Sequence, residues 1–147
     1  MRFNTLTTSI LAAATSASAA CLEQAPSALG FPINFDITPA TPATISFLIP
    51  SNAPAGPCEL IVKFPDNYPI TSTGDDLVNV TATTGPVAGS LIGSVRFRAG
   101  TKTVINSFAC EAVMGFEFAI AQGQGEVKFS EIAGAGVFLD IGDVSQC

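Results

Sequence analysis

Between its breaks the chain alternates apolar and polar residues with a period of two, the pattern of a strand that buries one face and wets the other. Cys58, Leu60, Val62 and Phe64 fall on one side, with Glu59 and Lys63 on the other. Val95 and Phe97 oppose Arg96 and Arg98; Phe116, Phe118 and Ile120 oppose Glu117 and Ala119. Val127 and Phe129 oppose Lys128, and Val137, Leu139 and Ile141 oppose Asp140. Further runs at Ile33–Ile37, Thr44–Ile49, Leu77–Thr83 and Thr103–Phe108 bring the number of short strands to about eight or nine, with no helical period anywhere. Many short strands at turn-separated spacing predict an all-β, antiparallel β-sandwich. The inward phenylalanines supply much of its core, so that Phe116→Ala or Phe118→Ala is expected to cost about 3 to 5 kcal/mol.

The breaks themselves change character along the chain. Nine of the ten prolines lie between Pro26 and Pro69, whereas glycine punctuates the second half. Proline cannot sit in a central strand, so the repeat Thr38-Pro39-Ala40-Thr41-Pro42-Ala43 and the stretch from Pro50 to Pro57 read as extended surface connections.

The first twenty residues do not fit this pattern. Arg2 precedes a short apolar stretch around Ile10-Leu11-Ala12-Ala13-Ala14, and Ala17-Ser18-Ala19 offers a small-residue cleavage site. These are the marks of a secretory signal peptide over residues 1–20, leaving a single domain over residues 21–147. All four cysteines, Cys21, Cys58, Cys110 and Cys147, remain in that domain, which is expected to oxidise to two disulfides outside the cell. A zinc site would want Cys-x-x-Cys pairs or histidine, and the chain has neither. Four cysteines allow three pairings. Cys58 opens one strand and Cys147 follows another, which favours Cys58 with Cys147 and Cys21 with Cys110.

Charge narrows the partners. Without Arg2, five basic residues face twelve acidic ones. That sign is wrong for gripping phosphate backbones or anionic lipid, so no nucleic acid and no membrane partner is expected.

Asn106-Ser107-Phe108-Ala109-Cys110, Gly115-Phe116-Glu117-Phe118, Gly125 to Phe129, and Gly136-Val137-Phe138-Leu139 ahead of a terminal cysteine together resemble the fungal secreted But-two C-terminal domain family. Upstream, Gly56-Pro57-Cys58-Glu59-Leu60-Ile61-Val62-Lys63-Phe64-Pro65 with Tyr68-Pro69 resembles the family's first core strand, so the likeness covers roughly residues 54–147. It implies a β-rich extracellular or wall-associated domain without established catalytic residues.

Catalytic chemistry has little to work with. Without histidine neither a Ser-His nor a Cys-His pair can be built, and no Gly-x-Ser-x-Gly elbow occurs. A glycosidase-like carboxylate pair would draw on Glu117, Glu126, Glu131 and Asp140. Alternation places Glu117, Glu126 and Asp140 on solvent faces, where acidic residues keep a strand soluble. Glu131 is in register with Val127 and Phe129; it is expected beyond the strand end, and only burial would make it of interest. No catalytic residue, no cofactor and no metal site is therefore assigned. The acidic stretches Thr73-Gly74-Asp75-Asp76 and Asp140 with Asp143 lack the spacing of a calcium loop and read as turns.

Asn79-Val80-Thr81 is a glycosylation sequon whose Asn79 alternation turns outward. Sugar recognition commonly uses exposed aromatic rings, and the chain has no tryptophan and a single tyrosine. Tyr68 is thus the one residue singled out for a possible ligand contact. The expectation is a secreted, non-catalytic, wall-associated or effector-like interaction protein that meets cell-wall polysaccharide or an extracellular protein. A carbohydrate-binding module or a small carboxylate-dependent glycoside hydrolase stands as the alternative.

Overall fold

The computed structural model describes residues 20–28 and 30–147; the expected signal peptide falls almost wholly outside them. Eleven strands follow in chain order: β1 (Cys21–Gln24), β2 (Ile33–Ile37), β3 (Ala43–Leu48), β4 (Cys58–Lys63), β5 (Thr71–Gly74), β6 (Val78–Thr84), β7 (Leu91–Val95), β8 (Lys102–Phe108), β9 (Val113–Ile120), β10 (Gly125–Glu131) and β11 (Gly136–Gly142). A single 3-10 turn, Val144–Gln146, closes the chain. All pairings are antiparallel, in three sheets ordered β1-β11-β4-β8, β2-β10-β5 and β3-β9-β6-β7. The protein is all-β, as its alternation requires, with the sheets enclosing one core.

That core is built on phenylalanine. Phe129 stacks on Phe35 at 4.5 Å and meets Phe97 and Phe64 at 4.9 and 5.1 Å between ring centroids. Phe116 packs edge-on to Phe47 at 6.0 Å, and Phe118 joins the first group through Phe97 at 6.2 Å. Offset and edge-to-face contacts of this kind add to the area the rings bury.

The bonded cysteines are Cys21 with Cys147 and Cys58 with Cys110, which corrects the pairing favoured by strand order. Register explains why. Strand β4 does lie beside β11, with Cys58 opposite Ile141, but Cys58 also lies opposite Phe108, two residues before Cys110. Cys147 comes five residues after Gly142, and Gly142 sits opposite Cys21. The terminal 3-10 turn, capped by Asp143, carries Cys147 back to that edge.

Two carboxylates are also placed differently from expectation. Glu131 is the last residue of β10 rather than part of the following loop, and Asp140 lies within β11; both are fully buried. Alternation fails in β11 because the strand is buried on both faces. Val137, Leu139 and Ile141 join the main core, while Phe138 and Asp140 on the opposite side are buried as well.

Candidate functional site

Tyr68 is positioned by a tight reversal after β4. The Tyr68 N–H donates to Pro65 O at 3.3 Å, and Asn67 takes φ of 59°, a left-handed conformation that asparagine tolerates better than most residues. The ring then packs against Phe64 at 5.2 Å, and the hydroxyl donates to Ser130 O on β10. A half-buried aromatic ring is thereby anchored at both ends while part of it faces outward.

It faces a shallow cleft of about 400 Å³ over the outer side of the β2-β10-β5 sheet, lined also by Asn34, Asp36, Thr71, Lys128 and Ser130. Register puts these polar residues together: Lys128 lies opposite both Asp36 and Thr71, and Ser130 opposite Asn34. The Ser130 Oγ and Asn34 Oδ1 are 2.7 Å apart. Lys128 Nζ lies 2.7 Å from Glu126 and 3.6 Å from Asp36, and these carboxylates, Glu126 foremost, hold its ammonium above the usual lysine range. An apolar ring beside several fixed donors and acceptors is the composition of a small-ligand site.

A second cleft of about 270 Å³ opens on the other side of the same tyrosine, lined by Ile70, Ser72, Asp76, Phe97, Arg98 and Ala99. Antiparallel register pairs Val78 with Val95, which carries Asp76 to the level of Phe97, between Arg96 and Arg98. Arg98 Nη1 lies 2.7 Å from Asp76 Oδ2, to which Ser72 Oγ also donates, and Arg96 Nε lies 3.2 Å from Oδ1. The Arg98 hydrogen bond, then that of Ser72, lowers the Asp76 carboxyl to about 2 despite its burial. The two guanidinium groups remain 48% and 51% exposed, so their outer N–H groups still meet solvent.

The other singled-out residues stand apart from these clefts. Glu126 is half-buried near Lys128, whereas Glu117 lies on the outer face of the third sheet, opposite Thr44 and Thr81. Glu131 and Asp140 are fully buried, and among the described residues their carboxyl oxygens have no partner at ordinary hydrogen-bond geometry. Burial pushes the Glu131 carboxyl up to about 8 against a smaller opposing pull from the Val137 backbone. Asp140 is likewise raised by burial, with Lys102, 3.5 Å away, opposing. Sealed in the interior, neither carboxylate meets a substrate from solvent, and Glu131 and Asp140 belong to different sheets.

Neither acidic stretch gathers ligands for calcium. Asp76 is committed to Arg96 and Arg98, and Asp143 accepts from the backbone and hydroxyl of Ser145. Among the described residues the one group with metal-like proximity is Cys21, Cys147 and Asp140, and its two sulfurs are bonded to each other. Asn79 lies half-buried on β6, an inner strand of its sheet, where its Oδ1 accepts from Ser94 Oγ at 2.7 Å.

Tyr68 was visible from the sequence as the lone tyrosine; its surroundings were not. Asn34 and Ser130 are 96 residues apart, and Asp76 and Arg98 meet only through the β6–β7 register. Among the described residues no helix is long and apolar enough to cross a membrane, and the two disulfides belong to an oxidising environment. No protein-family model, no curated protein and no solved structure matches the chain.

Proposed function

We propose that this is a secreted, non-catalytic interaction protein that contacts cell-wall polysaccharide through the Tyr68 cleft. The observation that carries it is the placement of Tyr68: the chain's single tyrosine is fixed at the mouth of a cleft whose other walls are Asn34, Asp36, Lys128 and Ser130. A sugar ring has an apolar face and a rim of hydroxyls; the tyrosine offers the first a surface and the polar residues offer the second donors and acceptors. Two disulfides, a leader-like start and the resemblance to a fungal secreted family support a role outside the cell.

A glycoside hydrolase is a poorer account of the same residues. Its carboxylates would need to flank an accessible bond, and Glu131 and Asp140 are sealed off. Co-sedimentation of the disulfide-intact protein with insoluble chitin, β-glucan and whole fungal wall tests the proposal. Pelleting with one polymer, lost in Tyr68→Ala, is the expected result. Retention in the supernatant throughout would replace a wall polymer with an extracellular protein as the partner.

A further inference from the structure

The two clefts share one residue. Tyr68 lines both, and the segment after it alternates between them: Pro69 and Thr71 wall the first, Ile70 and Ser72 the second. Thr71 lies opposite exposed Lys128 and Ser72 opposite buried Val127, so the clefts open to the two faces of the edge strand β5, and a chain-like ligand that fills both passes around that edge at Tyr68. Their charges differ. In the first cleft Lys128 is answered by Asp36 and Glu126. In the second, one carboxylate, Asp76, answers two guanidinium groups; Arg98 Nη1 also donates to Phe97 O, and the other N–H groups of both side chains have no partner among the described residues.

Building on the proposed polysaccharide contact, we propose that the preferred ligand is an acidic polysaccharide carrying uronic-acid residues. Arg98 receives a uronate carboxylate in the second cleft, while the adjoining sugar lies across Tyr68 toward Asn34 and Lys128. Planar guanidinium donors suit a carboxylate in two-point geometry, which no neutral sugar can reproduce. The excess negative charge of the whole chain does not forbid this, because fields from distant charges are damped beyond roughly 8 to 10 Å at ordinary salt. Asp76 acts as a positioning residue: buried in the lining of the second cleft, it pairs with both arginines.

Calorimetry with an oligogalacturonate hexamer, chitohexaose and laminarihexaose tests this on the disulfide-intact protein. The uronate is expected to bind at least tenfold more tightly than either neutral sugar at about 50 mM salt, with that preference shrinking as salt rises. Arg98→Gln should erase the preference; Arg98→Lys, which keeps a cation for Asp76 and guards against misfolding, should lose most of it. Tyr68→Ala should weaken every sugar. Neutral sugars bound as well as the uronate would overturn the acidic ligand while leaving the polysaccharide contact standing. A salt-independent preference, or one untouched in both Arg98 variants, would also overturn it. Failure of all three sugars to bind would overturn both proposals.

Discussion

Asp76 and Glu131 are both buried carboxyls, and the molecule treats them in opposite ways. Asp76, beside β5 and the Tyr68 clefts, is met by Arg98, Arg96 and Ser72 and is held down to about 2. Glu131, at the end of β10, has no side-chain partner among the described residues and is pushed up by burial to about 8. Burial costs the charged form in both cases; partners decide whether that cost is repaid. The region around Asp76 is thus built to keep charge at the surface, whereas the region around Glu131 is built to exclude it.

The largest expected effect comes from the unpartnered side. Glu131 has the ordinary glutamate value near 4.5 when unfolded and is pushed up by burial to about 8 when folded. Its raised folded value means that the penalty is absent below the unfolded value and grows as pH rises from about 4.5 to about 8, by roughly 1.4 kcal/mol per unit. Urea unfolding at pH 5, 6.5 and 8 should show the protein losing stability steadily, and Glu131→Gln should remove most of that slope. Asp140 is raised in the same direction by burial, with Lys102 opposing. An unchanged slope in Glu131→Gln would mean that this carboxyl is not protonated in the fold.

The partnered side should behave in mirror image. Asp76 is depressed from 3.8 to about 2, so its contribution is present above about 3.8 and is lost as pH falls toward 2. Asp76→Asn should cost about 2 kcal/mol at neutral pH, with the gap to the parent closing near pH 2. Together the two windows place maximum stability in mildly acidic solution, about pH 4 to 5. A stability maximum above pH 7 would break the comparison.

The smallest effect separates ring from hydroxyl. Tyr68→Phe removes the bond to Ser130 O and keeps the contact with Phe64, so thermal melting should report a loss of about 1 kcal/mol. Sugar binding should survive in this variant, unlike in Tyr68→Ala, because the face of the ring remains.

How much of this was legible in the sequence follows from which forces are local. The core strands were, because alternation records burial residue by residue: β2 occupies the expected Ile33–Ile37, and β4, β6, β8, β9, β10 and β11 lie within a few residues of their expected bounds. Strand β5 was not, since Thr71-Ser72-Thr73-Gly74 is exposed throughout and carries no apolar residue to betray it. Phe97 read as part of a strand but falls beyond the end of β7, yet it is buried all the same. Glu131 was in the right register, but the extent of β10 is set by its pairing with Ile33 in β2, a contact far away in sequence. At the strand's end Gly136 is held at φ of 141°, and a Cβ there would come within 2.3 Å of the Glu131 Cγ, so the glycine makes room for the buried side chain. The disulfides were misjudged for the same non-local reason: strand order did not reveal that β11 sits between β1 and β4.

The most direct test of the central claim is an NMR titration of the labelled protein with chitohexaose, laminarihexaose and the oligogalacturonate hexamer in turn. Amide shifts concentrated at Asn34, Tyr68, Thr71, Lys128 and Ser130, and for the uronate spreading to Ser72 and Arg98, are the predicted result. Saturable binding whose shifts fall on another face, such as around Thr44, Thr81 and Glu117, or the absence of any shift with all three sugars, would contradict it.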